Sequence, residues 1–86
     1  MDEVSLDLLI ENELYTYILA ISNDQLDKVT KKTFREGINW FLKKYENIIS
    51  ENQINYVIDK TLQVFKNKKV KHINTIEKSI NNKDER

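Results

Sequence analysis

The chain has 86 residues, with 14 Lys and Arg against 14 Asp and Glu, one glycine, no proline and no cysteine. It is long enough for one domain with a modest core, and its composition excludes disulfides and thiolate metal sites and favours a reducing, cytoplasmic location. Residues 1–27 hold seven acids and no basic residue, a net charge of −7, whereas residues 28–86 carry a net charge of +7. Such an asymmetry indicates that the charges of one part interact either with those of the other part or with a charged partner molecule.

Apolar residues recur with helical spacing, and no stretch alternates as a half-buried strand does. Asp2 or Ser5 opens a first helix that runs to about Ile21. Acidic residues interrupt its apolar run, so we expect neither a signal peptide nor a membrane span.

This first helix carries two apolar stripes. The first stripe consists of Leu6, Ile10, Leu14, Tyr17 and Ile21. The second stripe consists of Val4, Leu8, Tyr15, Ile18 and Leu19. Asp7 and Glu11 lie between the stripes. Two interpretations remain open: the helix packs against two neighbours and pairs these acids with Lys or Arg from residues 28–86, or one stripe is an interface to a basic partner.

Ser-Asn-Asp-Gln at residues 22–25 has the pattern of a capping box and predicts a short second helix. Apolar residues before and after Lys32 would lie on different sides of one straight helix, so we expect the second helix to end near Lys32. A second box, Thr-Phe-Arg-Glu at residues 33–36, opens a third helix. A third box, at residues 50–53, opens a fourth helix, with Asn67 as the candidate left-handed residue at its end.

Apolar residues between positions 70 and 80 predict a weaker last helix. We therefore predict an all-α fold, a small antiparallel bundle of four to five helices. Residues 1–80 form its single domain, and residues 81–86 are expected to be a disordered polar tail.

Trp40 on the third helix points away from the predicted core and shares its face with Gly37 and Lys44. Gly37 costs about 1 kcal/mol in a helix interior relative to Ala, so we expect something to approach closely there. Either Trp40 packs on the first or second helix of its own chain, or it contacts a partner, as Trp often does in interface hot spots. Tyr56 on the fourth helix is a weaker case of the same kind. The candidate partner-binding residues are Trp40, Gly37, Lys44, Tyr56, Asp7 and Glu11.

His72 is the only histidine, and no nucleophile and base are spaced to work together. Asp7 and Glu11 stand one turn apart, but no further ligand is spaced to join them on a cation. The sequence therefore predicts no catalytic site, no metal site and no cofactor.

By subtraction, we expect a non-catalytic protein–protein interaction module, a small helical regulator, inhibitor or adaptor, with self-association left open. The alternative is binding of nucleic acid by the basic residues, since clustered lysines contact phosphates as point charges. Lysines at helix ends also complement the helix dipole without any ligand. The candidate nucleic-acid-binding residues are Lys43, Lys44, Lys66, Lys68, Lys69 and Lys71.

Overall fold

The first part of the chain forms one continuous helix whose middle is π-helical. In this computed structural model, which describes residues 1–70 and 72–81, α1 covers Glu3–Leu9, a π-helical segment covers Ile10–Leu14 and α2 covers Tyr15–Ala20. The N–H of Tyr15 donates to the carbonyl oxygen of Ile10, five residues earlier, which is the hydrogen bond that defines a π turn. These three segments together are called the N-terminal helix below.

Three further helices follow: α3 at Lys31–Lys44, α4 at Ile54–Asn67 and α5 at Ile73–Asn81. Short 3₁₀ turns at Leu26–Lys28 and Glu51–Gln53 precede α3 and α4. The described residues contain no strand, which confirms the all-α bundle with the lower of the two predicted helix counts. In the same residues, no helix is both long and apolar enough to cross a bilayer.

Two of the predicted helix starts are confirmed by their side-chain hydrogen bonds. The Asp2 carboxylate accepts from the Ser5 N–H at 3.1 Å, so Asp2 caps α1. The Ser50 N–H donates to Oε1 of Gln53 at 3.0 Å and fixes the turn that leads into α4.

Two other predicted starts are wrong. Ser22 is buried and caps no helix, because Asn23 and Asp24 after it turn the chain with φ angles of 60° and 58°. Short polar side chains tolerate this left-handed conformation, so the box at residues 22–25 is a turn and only a single 3₁₀ turn follows. The cap of α3 is Thr30, which exchanges hydrogen bonds with Thr33, three residues before the predicted start.

The end of α4 also differs from the prediction. Asn67 is its last helical residue, and the left-handed residue is Lys69, with φ of 60°. The predicted last helix is confirmed as α5, which ends at residue 81, the first residue of the predicted tail. Lys71 and residues 82–86 lie outside the described residues, so the disordered tail stays a prediction.

The buried face of the N-terminal helix is a stripe at strict i+4 spacing, each member fully buried: Leu6, Ile10, Leu14 and Ile18. Four residues of an α-helix turn about 40° more than a full circle, so this stripe would drift by about 120° over its three steps. The π segment absorbs the drift because its turn holds one residue more. For this reason Ile18 continues the first stripe, in place of the predicted Tyr17 and Ile21.

The other helices close one hydrophobic core over this stripe. Phe34 and Phe41 from α3 and Phe65 from α4 are fully buried, and the rings of Phe34 and Phe65 meet with centroids 6.1 Å apart. α2 packs on α3, and the π segment packs on α4. The N-terminal helix therefore presents one side to α3, a second to α4 and a third to solvent.

Candidate functional site

The side of the N-terminal helix that faces α3 carries an aromatic cluster with two charges. The rings of Trp40 and Tyr17 stack with centroids 4.1 Å apart and planes within 1°. The Lys44 ammonium lies 5.1 Å from the Trp40 ring and donates to the Glu13 carboxylate at 2.9 Å. The Tyr45 hydroxyl donates to the same oxygen at 2.6 Å. Trp40 is thus half-buried against the first helix of its own chain.

Gly37 lies one turn before Trp40 on α3 and is buried. A Cβ atom at this position would stand 2.2 Å from Cγ1 of Ile18 and 3.4 Å from Cδ1 of Leu14. The close approach that we expected at Gly37 is therefore made by the N-terminal helix. Because Gly37 is covered, it offers a partner no surface of its own.

The Tyr45 hydroxyl, and after it the Lys44 ammonium, hold the pKa of Glu13 below its ordinary value of 4.5. Each of these two hydrogen bonds in turn raises the pKa of its own donor, Tyr45 or Lys44. Glu13 therefore loses its proton more readily in the folded protein than in the unfolded chain.

The stability difference between the wild type and Glu13→Gln is expected to shrink as the pH falls. A lowered folded-state pKa contributes stability above the unfolded-state value of 4.5, and this contribution disappears as the pH drops through the folded-state pKa. Urea unfolding of both proteins at neutral pH and at about pH 3 measures the change. Tyr45→Phe should weaken the dependence, and a difference that is the same at both pH values would contradict it.

The side that faces α4 brings together three of the candidate residues. The Tyr56 hydroxyl donates to the Asp7 carboxylate, and this hydrogen bond raises the pKa of Tyr56 to about 12. The Lys60 ammonium lies 3.9 Å from a carboxylate oxygen of Asp7 and 3.9 Å from one of Glu11. One lysine is thus shared by two acids, at a distance where half-exposed pairs contribute roughly 0–1 kcal/mol.

The third side of the N-terminal helix exposes apolar side chains. Val4 is 70% exposed and Leu8, one turn later, is 54% exposed, although both belong to the second stripe. Tyr15, from the same stripe, packs against Phe65 with ring centroids 5.2 Å apart. The stripe is therefore divided, because its later residues are covered by the bundle and its first two are not.

The exposed pair lies beside a row of acids on the same helix. Glu3, Asp7 and Glu11 follow each other at i+4 spacing, next to the row of Val4 and Leu8. We call these five residues the outer face. Further along the helix the outer face leads into a polar groove of about 490 Å³ between the N-terminal helix and α4, whose lining includes Glu11, Tyr15 and Lys68.

The nucleic-acid candidates that the structure describes, all of them except Lys71, lie at the ends of two helices, on two sides of the N-terminal helix. On the α4 side, Lys66 pairs with Glu77 at 2.9 Å and the Lys68 ammonium lies 5.2 Å from the Tyr15 ring centroid. On the α3 side, Lys43 is exposed, and Lys44 forms the ion pair with Glu13. Binding of nucleic acid stays a prediction.

Ring nitrogen Nε2 of His72 lies 2.9 Å from the carbonyl oxygen of Val29 and so ties the start of α5 to the turn before α3. Among residues 1–70 and 72–81, no group of three or more His, Cys, Asp or Glu could hold a metal ion. That the protein has no catalytic site, metal site or cofactor remains a prediction from the sequence.

Comparison of the chain with protein-family models, with curated proteins and with solved structures found no match in any of the three. The function is therefore inferred from the molecule alone.

Proposed function

We propose that this protein is a binding module, a regulator, inhibitor or adaptor, that docks on another protein through the outer face. The proposal rests on the exposure of Val4 and Leu8, two apolar side chains one turn apart. Neither is needed for the hydrophobic core, because other residues of the same helix fill it. Exposed apolar patches rimmed by polar residues are typical of protein interaction sites. The lack of cysteine favours the cytoplasm as the place where the module works.

Spacing and energy both suit this role. Apolar residues at i and i+4 are the usual anchors of a helix that binds a complementary surface. Fully burying an aliphatic side chain of this size contributes about 1.5–3 kcal/mol, so two anchors supply a useful part of a binding energy. Leu6 and Ile10 hold this end of the N-terminal helix in the bundle, so Val4 and Leu8 are available to a partner without unfolding the helix.

In the test, residue 8 is replaced by a photo-cross-linking amino acid in cells that produce the protein. The same amino acid at position 63, which is exposed, serves as the control. A partner captured only from position 8 is then purified. Its dissociation constant is measured for the wild type, for the double variant Val4→Ser/Leu8→Ser and for Asn74→Ser, an exposed control on α5.

The double variant is expected to bind at least about tenfold more weakly, a loss of about 1.4 kcal/mol, while the control binds as the wild type does. An unchanged dissociation constant in a folded double variant would remove the outer face from the proposal. The nucleic-acid alternative makes the opposite prediction, because it depends on exposed lysines such as Lys43 and Lys69 and is indifferent to Leu8.

A further inference from the structure

The acids of the outer face have few cations of their own. Among the described residues, Lys60 is the one cation within ion-pair distance of Asp7 and Glu11, and it stands 3.9 Å from each. By contrast, Lys44 lies 2.9 Å from Glu13 on the α3 side. Tyr56 already donates to one oxygen of Asp7, but an ionised carboxylate accepts several hydrogen bonds, so Asp7 and Glu11 both keep capacity for further donors.

Resting on the proposed function, we propose that the partner presents a basic amphipathic helix to the outer face. Its apolar residues cover Val4 and Leu8, and a Lys or Arg takes the place of Lys60 between Asp7 and Glu11. The argument is charge complementarity: the acids stand directly beside the apolar pair, within a segment, residues 1–27, whose net charge is −7. A second acidic surface, including the outer face of another copy, would be repelled.

Lys60 thereby acts as an internal competitor for the partner's cation. Its side chain is only 27% exposed, so its stem packs on the bundle while its ammonium reaches the two acids. Replacement by Met keeps the stem and removes the charge. Because a surface ion pair contributes at most about 1 kcal/mol, the acids freed of Lys60 should bind a basic helix about two- to fivefold more tightly.

The experiment uses a synthetic helical peptide with Leu at i, i+3 and i+4 positions and Lys elsewhere, and a second peptide with Glu in place of Lys. Dissociation constants are measured by calorimetry at low and at moderate salt, for the wild type, Lys60→Met, Lys44→Met and Val4→Ser/Leu8→Ser. Lys44→Met is the matched control, because it changes the net charge equally but on the α3 side. Urea unfolding verifies that each variant is folded.

We expect the Lys peptide to bind the wild type, to bind Lys60→Met about two- to fivefold more tightly, and to bind Lys44→Met with the affinity of the wild type. The Glu peptide should not bind, and added salt should weaken the Lys peptide. Equal affinity for the two peptides, or no gain in Lys60→Met, would overturn the inference about the partner's charge while docking through the outer face still stands. Unchanged binding in Val4→Ser/Leu8→Ser would instead overturn the proposed function.

Discussion

Deletion of Asn12 is expected to leave the protein folded, whereas deletion of Asn39 is expected to unfold it. Both are exposed asparagines within helices, but Asn12 lies in the π segment and Asn39 in the regular helix α3. Because a π turn holds one residue more than an α turn, removing Asn12 lets the segment close as an α-helix. The four core residues of the N-terminal helix would then be spaced by four, three and four, which an α-helix keeps on one face.

Helix α3 is a regular α-helix and contains no π turn that could absorb a deletion. Deletion of Asn39 rotates everything after it by about 100° relative to what precedes it. Phe41, which is fully buried, would leave the core while Phe34 and Ile38 stay in place. Circular dichroism and urea unfolding should show a cooperative transition for the first deletion and none for the second. Equal effects of the two deletions would contradict the role given to the π segment.

Gly37→Ala is expected to destabilise the protein by about 1–3 kcal/mol, although Ala favours a helix by about 1 kcal/mol over Gly. The new Cβ would meet Cγ1 of Ile18 at 2.2 Å and its Cδ1 at 2.8 Å, well inside van der Waals contact. Ile18 is fully buried, so it has no free space into which to move. Urea unfolding measures the loss, and a variant as stable as the wild type would contradict it.

A double-mutant cycle separates this contact from a general effect on α3. Ile18→Ala removes both clashing atoms and costs about 2–5 kcal/mol by itself, because it opens a cavity. In that background, Gly37→Ala should cost much less or even stabilise the protein, which gives a coupling energy of about 0.5–3 kcal/mol. Strictly additive losses would show that Gly37 is needed for some reason other than the approach of Ile18.

The sequence was sufficient to predict the fold class and some helix starts, because apolar spacing and short polar caps are local properties. It was not sufficient for the π segment. Tyr17 and Ile18 are both apolar, and the packing of the whole N-terminal helix on α3 and α4 decides which of them turns inward. Ser22 shows the same limit: its box pattern is local, but its burial is not.

The sequence was sufficient to select most of the candidate residues, but not to predict which residues they contact. One of the two open interpretations paired Asp7 and Glu11 with Lys or Arg from residues 28–86, but the choice of Lys60 depends on the rotation of α4. Glu13 was missed, since nothing in the sequence separates it from the other acids of residues 1–27 before Lys44 and Tyr45 are placed beside it. Helical spacing also places Val4 and Leu8 on one apolar stripe, but it does not show whether the bundle covers them.

The opposed charges of the two parts of the chain meet in the fold, because Glu13, Asp7 and Glu11 all face lysines from residues 28–86. Part of the asymmetry is therefore intramolecular. What is left for a partner is a matter of position: the acids on the α4 side adjoin the exposed apolar pair, and Glu13 on the α3 side does not.

The stack of Trp40 on Tyr17 gives the molecule a built-in optical reporter. The chain has a single tryptophan, so its emission comes from one place, the contact between α2 and α3 under the Lys44 ammonium. A ligand seated on α1 leaves this contact intact, whereas separation of the N-terminal helix from α3 breaks the stack. Intrinsic fluorescence therefore distinguishes docking on the assembled bundle from docking that pulls the bundle open, without any attached dye.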